Sequence, residues 1–194
     1  MISFNVDLGR MPDIERRVYD LLGDLSGLNE AIADEAQELT SDYLREIAPE
    51  SHATANRLGA EPTGALEKAA GRVTSDADDK EASVTVYGNL FARAFSDITI
   101  TPSKARALTI PINAIAYGKR VGELEAMGYK FFQPRKEGGK PLLWATNPSG
   151  ESMPMYLLAT TVHQPQDRTL LPSDKDFLDA ADRGWRNYLQ KLSA

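Results

Sequence analysis

Leu28, Ile32, Ala36, Leu39, Tyr43 and Ile47 recur at three- and four-residue intervals, and Glu30, Asp34, Glu35, Glu38, Asp42 and Glu46 stand between them until Pro49. The spacing reads as a single helix with one apolar face, and at 1.5 Å per residue it would run about 30 Å. Such a stripe is more often a core face laid against other parts of the chain than a partner-binding face, and the first reading points to a layered fold. The opposite side, almost entirely carboxylate, has to meet water or basic groups.

The remaining elements are read around this helix. Ile14, Val18, Leu21, Leu22 and Leu25 predict a shorter amphipathic helix entered at Pro12 and Asp13. The polar stretch 48–62, with His52, Asn56 and Gly59, reads as a loop, and a third helix is expected from Thr63 to about Arg72. Then the period changes to two. Val73, the cluster Asp76, Asp78 and Asp79, and the alternating Ala82, Val84 and Val86 predict a hairpin with a charged turn. Ile98 to Thr101 and Ala107 to Ile112 are expected strands, the second limited by Pro111 to an edge or a strand end.

Six glycines and four prolines between Gly118 and Pro154 make that stretch the least regular, with a helical turn near Glu123 to Met127 and strands near Tyr129 to Phe132 and Leu142 to Ala145. Met155 to Val162 carries no charge and is the best candidate for a central strand. Ser173 and Asp176 form a capping pair ahead of a last helix with Phe177, Ala181, Trp185, Tyr188 and Leu192 on one face. The expected fold is α+β, in one domain over residues 1–194. It has an N-terminal helical region (about 12–72), a mainly antiparallel sheet, an irregular basic excursion (about 118–154) and a C-terminal helix packed on the sheet.

Charge is distributed unevenly. The chain holds 22 Lys and Arg against 28 Asp and Glu, a net −6, which argues against a generic polyanion binder. Residues 1–50 carry 12 acids and 4 bases, whereas residues 98–150 carry 3 acids and 8 bases. Complementary regions of this kind can pair within a fold or between copies of it, or can simply be two solvated faces. No apolar run approaches the ~20 residues of a membrane span and no secretion signal opens the chain, so a protein working in the cytosol, away from membranes, is expected.

Most catalytic chemistry lacks its residues. There is no cysteine and there are two histidines, which removes disulfides, thiolate metal sites, thiol nucleophiles and His-rich metal sites. Gly139-Lys140 is followed by Pro141 and lacks the upstream Gly of a phosphate loop. Asp76, Asp78 and Asp79 lack the turn Gly and the terminal Glu of a calcium loop. His52 and His163 are read as a surface imidazole and a strand-end residue rather than general bases. A carboxylate hydrolase using Asp97 and Glu151 would need them in one pocket. No enzyme activity, cofactor or metal is expected.

The basic stretch interleaves Lys119, Arg120, Lys130, Arg135, Lys136 and Lys140 with Tyr117, Tyr129, Phe131, Phe132 and Trp144. Aromatics among cations are what single-stranded nucleic-acid grooves use. The same residues also suit a strand core with solubilising loops. A nucleic-acid-binding module using segment 117–144 is therefore one functional reading.

The other reading comes from a resemblance. Asn56-Arg57-Leu58-Gly59-Ala60 with Pro62-Thr63-Gly64, then Ile98-Thr99-Ile100-Thr101-Pro102 with Lys104, then Ala107-Leu108-Thr109-Ile110-Pro111, and finally Tyr156-Leu157-Leu158 leading to Val162 and Leu171-Pro172 follow one another in an order and spacing that resemble the phage virion morphogenesis family. These are tail-completion proteins of contractile-tailed and Mu-like phages and prophages. The resemblance covers roughly residues 30–194. It implies a structural virion protein in tail completion or head–tail joining, found in the virion and, during assembly, in the host bacterial cytoplasm. It further implies a ring of about six copies beside neighbouring tail or neck proteins. On that reading Glu30, Asp34, Glu38 and Asp42 of one copy would meet Lys130, Arg135, Lys136 and Lys140 of the next, or the basic residues would face DNA in a channel.

Overall fold

The computed structural model describes residues 2–5, 25–51, 53–134 and 141–192. The expected helix around Ile14 to Leu22, His52, and Arg135, Lys136 and Lys140 lie outside the described residues. Secondary structure follows the order β1 (Ile2–Asn5), α1 (Ser26–Ser51), α2 (Ala53–Leu58), α3 (Ala65–Ala70), β2 (Thr74–Ala77), β3 (Ala82–Val86), α4 (Ala92–Phe95), β4 (Ile98–Ile100), β5 (Leu108–Pro111), α5 (Val121–Ala126), β6 (Lys130–Phe132), β7 (Leu142–Thr146), β8 (Ser152–Ala159), β9 (Val162–Gln164) and α6 (Asp174–Leu192). Among the described residues every strand pairing is antiparallel. An N-terminal helix, antiparallel sheets and a closing helix make this an α+β fold.

Where one sheet was expected, the described residues form three, with orders β1-β3-β2, β4-β9 and β5-β8-β7-β6. The chain forms two compact units: the first is Met1–Pro49, Ala65–Ser96 and Gln166–Ala194, the second Glu50–Gly64 and Asp97–Pro165.

In the first unit Leu28, Ile32 and Ala36 of the expected stripe are each less than a tenth exposed, whereas Leu39, Tyr43 and Ile47 are half-buried and the buried line continues through Thr40, Leu44 and Ala48. They feed two clusters. One joins Ala36, Leu44 and Ala48 to Leu66, Ala69, Val84, Val86, Phe91 and Phe177. The other joins Leu28, Ile32 and Ala33 to Ala82 and Ala181, with Trp185 and Tyr188 packed against it. The last helix therefore lies on α1 and on the first sheet, as its apolar face requires. Polar side chains fix the register of α1: Asn29 donates to the Asp78 carbonyl (2.8 Å), Gln37 to that of Val73 (3.1 Å) and Ser41 to that of Ala70 (2.9 Å). At the start of α6, Ser173 and Asp176 cap each other: the Ser173 N–H and hydroxyl donate to the Asp176 carboxylate (3.0 and 2.6 Å), and the Asp176 N–H donates to the Ser173 hydroxyl (3.3 Å).

Two local expectations in this region differ from the structure. Helix α1 does not stop at Pro49 but runs on to Ser51. A proline in the last turn deletes one hydrogen bond, and the fully buried Ala48 holds the turn in place. Residues 48–62 are not all loop, because α2 forms within them and buries Ala55, while the helix expected over 63–72 is confined to Ala65–Ala70.

The second unit is organised by β8, an inner strand as expected, flanked by β5 and β7. Pro111 falls on β5, an edge strand, as a residue without an N–H should. Pro154 does not: it sits within the inner strand. A register shift makes this tolerable, since Leu143 faces Tyr156 while the next residue, Trp144, faces Pro154, leaving Met155 as the extra residue of a bulge. The bulge turns Met155 and Tyr156 together into a core shared with Ala116, Leu124 and Ala145. The stretch read as an irregular excursion supplies α5, β6 and β7, including two of the four strands of this sheet. The run expected as one strand from Met155 to Val162 is divided between β8 and β9.

Candidate interaction surfaces

The expected acidic residues stand where the helical period puts them. Glu30, Asp34, Glu38 and Asp42 are all exposed on α1, one turn apart, in a row of about 18 Å. Two of them are engaged locally: Asp42 pairs with Arg45 at 2.6 Å, and Asp34 accepts from the Ser75 hydroxyl at 3.3 Å. Glu30 and Glu38 have no ion-pair partner among the described residues. A hollow of about 340 Å³ opens beside the row, between Ser26, Glu30, Asp34, Ser75 and Asp76. Among the described residues no group of three or more His, Asp or Glu is placed to hold a metal ion.

Glu35, which the sequence groups with these acids, does a different job. Its carboxylate accepts from Arg183 Nε (3.1 Å) and Asn187 Nδ2 (2.8 Å), tying α1 to α6. Its position one residue past Asp34, some 100° further round the helix, was the signal that it leaves the row.

Of the four basic residues expected to oppose the acids, the structure describes Lys130, which is exposed at the start of β6 and forms no ion pair among the described residues. Lys119 is committed locally, its ammonium donating to the Ile115 carbonyl at 3.1 Å. The aromatic residues divide between the two faces of the sheet. Tyr129 and Phe131 pack on the core, with the Phe131 ring 6.1 Å from that of Tyr156. Phe132 points the other way and opposes Trp144 directly across β6 and β7, ring centroids 6.5 Å apart and planes inclined by 38°. Phe132 is 40% exposed.

The remaining candidates settle into structural positions. The Asp78 carboxylate accepts the N–H groups of Lys80 (2.8 Å) and Glu81 (2.9 Å), and these bonds hold it below its ordinary value. The charged turn is therefore a hairpin closure. His163 faces Thr99 across β4 and β9, with Nδ1 2.9 Å from the hydroxyl. Glu151 is bonded twice to the Asn147 side chain in the turn between β7 and β8, while Asp97 is exposed just before β4. Tyr156 is nearly fully buried and its hydroxyl donates to the Lys119 carbonyl at 2.9 Å; burial, with Glu123 adding to it, raises its phenol above the ordinary value. No described helix is long and apolar enough to cross a membrane. No family model, curated protein or solved structure matches this chain.

Proposed function

We propose that the protein is a structural virion component that acts by association, in phage tail completion or head–tail joining, as a ring of about six copies. The observation that carries the proposal is the row of outward carboxylates on α1, with Glu30 and Glu38 unpaired among the described residues, on a chain whose residues 98–150 hold 8 bases against 3 acids. Such rows steer and orient a basic partner at a solvated contact. The resemblance to the virion morphogenesis family supports the assignment to a phage particle. Two of the pieces that carry it, Ile98 to Pro102 and Ala107 to Pro111, contain β4 and β5. On this reading the partners are further copies of the chain and the adjoining tail or neck proteins, assembled in the bacterial cytoplasm and retained in the virion.

Sedimentation velocity over a range of protein concentrations tests this. A concentration-dependent oligomer at low salt is expected, weakened at high salt and lost when Glu30, Asp34, Glu38 and Asp42 are changed together to Lys. A monomer at high concentration in low salt overturns self-assembly through this row.

A further inference from the structure

We propose that the face of the β5-β8-β7-β6 sheet carrying Phe132 and Trp144 is a stacking platform for single-stranded nucleic acid. The pleat separates two sets of side chains. Phe131, Ala145 and Met153 oppose one another on the core face. Phe132, Trp144 and Pro154 form the corresponding row on the other face, and Lys130, Thr146 and Ser152 form the row next to it. The result is an apolar row with two aromatic rings beside a polar row headed by an exposed ammonium.

Single-stranded nucleic acid requires this combination: a flat surface on which any base can stack, with a cation and hydroxyls one strand pleat away to meet the sugar-phosphate chain. Duplex DNA offers no free base faces and would gain from the charge alone. The Thr146 and Ser152 hydroxyls are 2.9 Å apart and exposed, and Lys130 has no acidic partner among the described residues, so the polar row is available to an anion. Lys130 lies in the part of the chain, residues 98–150, that holds 8 bases against 3 acids despite the net −6 of the whole. This complementarity favours a polyanion over a second copy of the chain or an apolar helix as the occupant.

The platform is independent of the acidic row on α1, and the test keeps the two apart. Fluorescence anisotropy of a labelled oligothymidine of about 12 nucleotides, with oligouridine and a duplex of equal length run alongside, measures binding to the full chain. Trp144 is one of two tryptophans, so a Trp185→Phe chain makes it the sole indole reporter. Saturable binding of either single strand at low salt is expected, with quenching of Trp144, about a tenfold loss in Phe132→Ala and a shallower salt slope, by about one phosphate contact, in Lys130→Gln. Phe132 is too exposed for its truncation to unfold the sheet, and Trp144→Phe should retain most of the affinity that Trp144→Leu loses. Charge reversal on α1 should leave the Trp144 quenching and the loss in Phe132→Ala in place, although the added positive charge raises affinity for both single strand and duplex at low salt. Absence of binding at low salt overturns the proposal, as does equal binding of duplex and single strand with no effect of Phe132→Ala.

Discussion

The two units differ in how closely their elements approach and in what brings their cores together. In the first, Ala33, Ala36, Ala48, Ala69, Ala70, Ala94, Ala180 and Ala181 are buried among larger residues such as Leu44, Leu66, Val84, Phe91 and Phe177. This lets backbones approach closely: a Cβ on Gly184 of α6 would stand 2.7 Å from the Ala31 carbonyl oxygen of α1. In the second, the core is Leu124, Met155 and Tyr156 with two alanines, large side chains brought together by a bulge. Added atoms should therefore be costly at the α1–α6 contact of the first unit, and removed atoms costly in the core of the second.

The largest expected effect is in the second unit. Leu124 is fully buried, and Leu124→Ala should cost about 3 kcal/mol, read as a lower urea midpoint with an unchanged m-value. A cost below 1 kcal/mol would mean that the small sheet core collapses around the gap, and the contrast between the units would fail.

Gly184→Ala is the matching experiment in the first unit. The new methyl meets backbone on α1, not a movable side-chain tip, so the helices must separate and a loss of about 2 kcal/mol is expected. Gly122→Ala in α5 is its control. Nothing lies within 4 Å of the added Cβ, and removing a helical glycine should stabilise by about 0.5 kcal/mol. Equal effects of the two substitutions would remove the distinction.

The same contrast explains what could be read in advance. Long helical stripes carry their partner face with them, so α1, α6 and the capping pair Ser173 and Asp176 were legible. Strands of three to five residues state their alternation but not their neighbours, and so three sheets could not be told from one. Pro154 argues against an inner strand unless the bulge at Met155 is known, and the bulge depends on β7 pairing that is remote in sequence. The exposed row Glu30, Asp34, Glu38 and Asp42 was legible from period alone. The division of Phe131 from Phe132 follows from strand period two, but only once β6 is known to be a strand with a core on one side.

Glu35 supplies a smaller effect that sharpens the picture of the first unit. Because its carboxylate is mostly covered while Arg183 is half exposed, Glu35→Gln should cost under about 1 kcal/mol. A double-mutant cycle with Arg183→Gln measures the part due to the pair, and a coupling near zero would leave the α1–α6 contact to apolar packing and the close approach at Gly184.

The smallest effects distinguish the units by pH. Asp176 lies below its ordinary 3.8, first through the Ser173 hydroxyl and then through the Ser173 N–H, and Asp78 is lowered by the N–H groups of Lys80 and Glu81. A lowered carboxylate binds its proton less readily when folded, so its stabilisation is complete above 3.8 and declines as pH falls through the folded value. Both groups belong to the first unit. Tyr156, in the second, has the reverse sign. Its phenol is raised above 10.0 by burial and then by Glu123, so its contribution is complete below 10.0 and declines as pH rises through the folded value. Urea midpoints measured from pH 5 downward should fall less steeply in an Asp78→Asn, Asp176→Asn chain, and midpoints measured above pH 9 should fall less steeply in Tyr156→Phe. If Tyr156→Phe instead flattens the acid limb, or the double Asn chain the alkaline one, the assignment of acid sensitivity to one unit and alkaline sensitivity to the other is wrong.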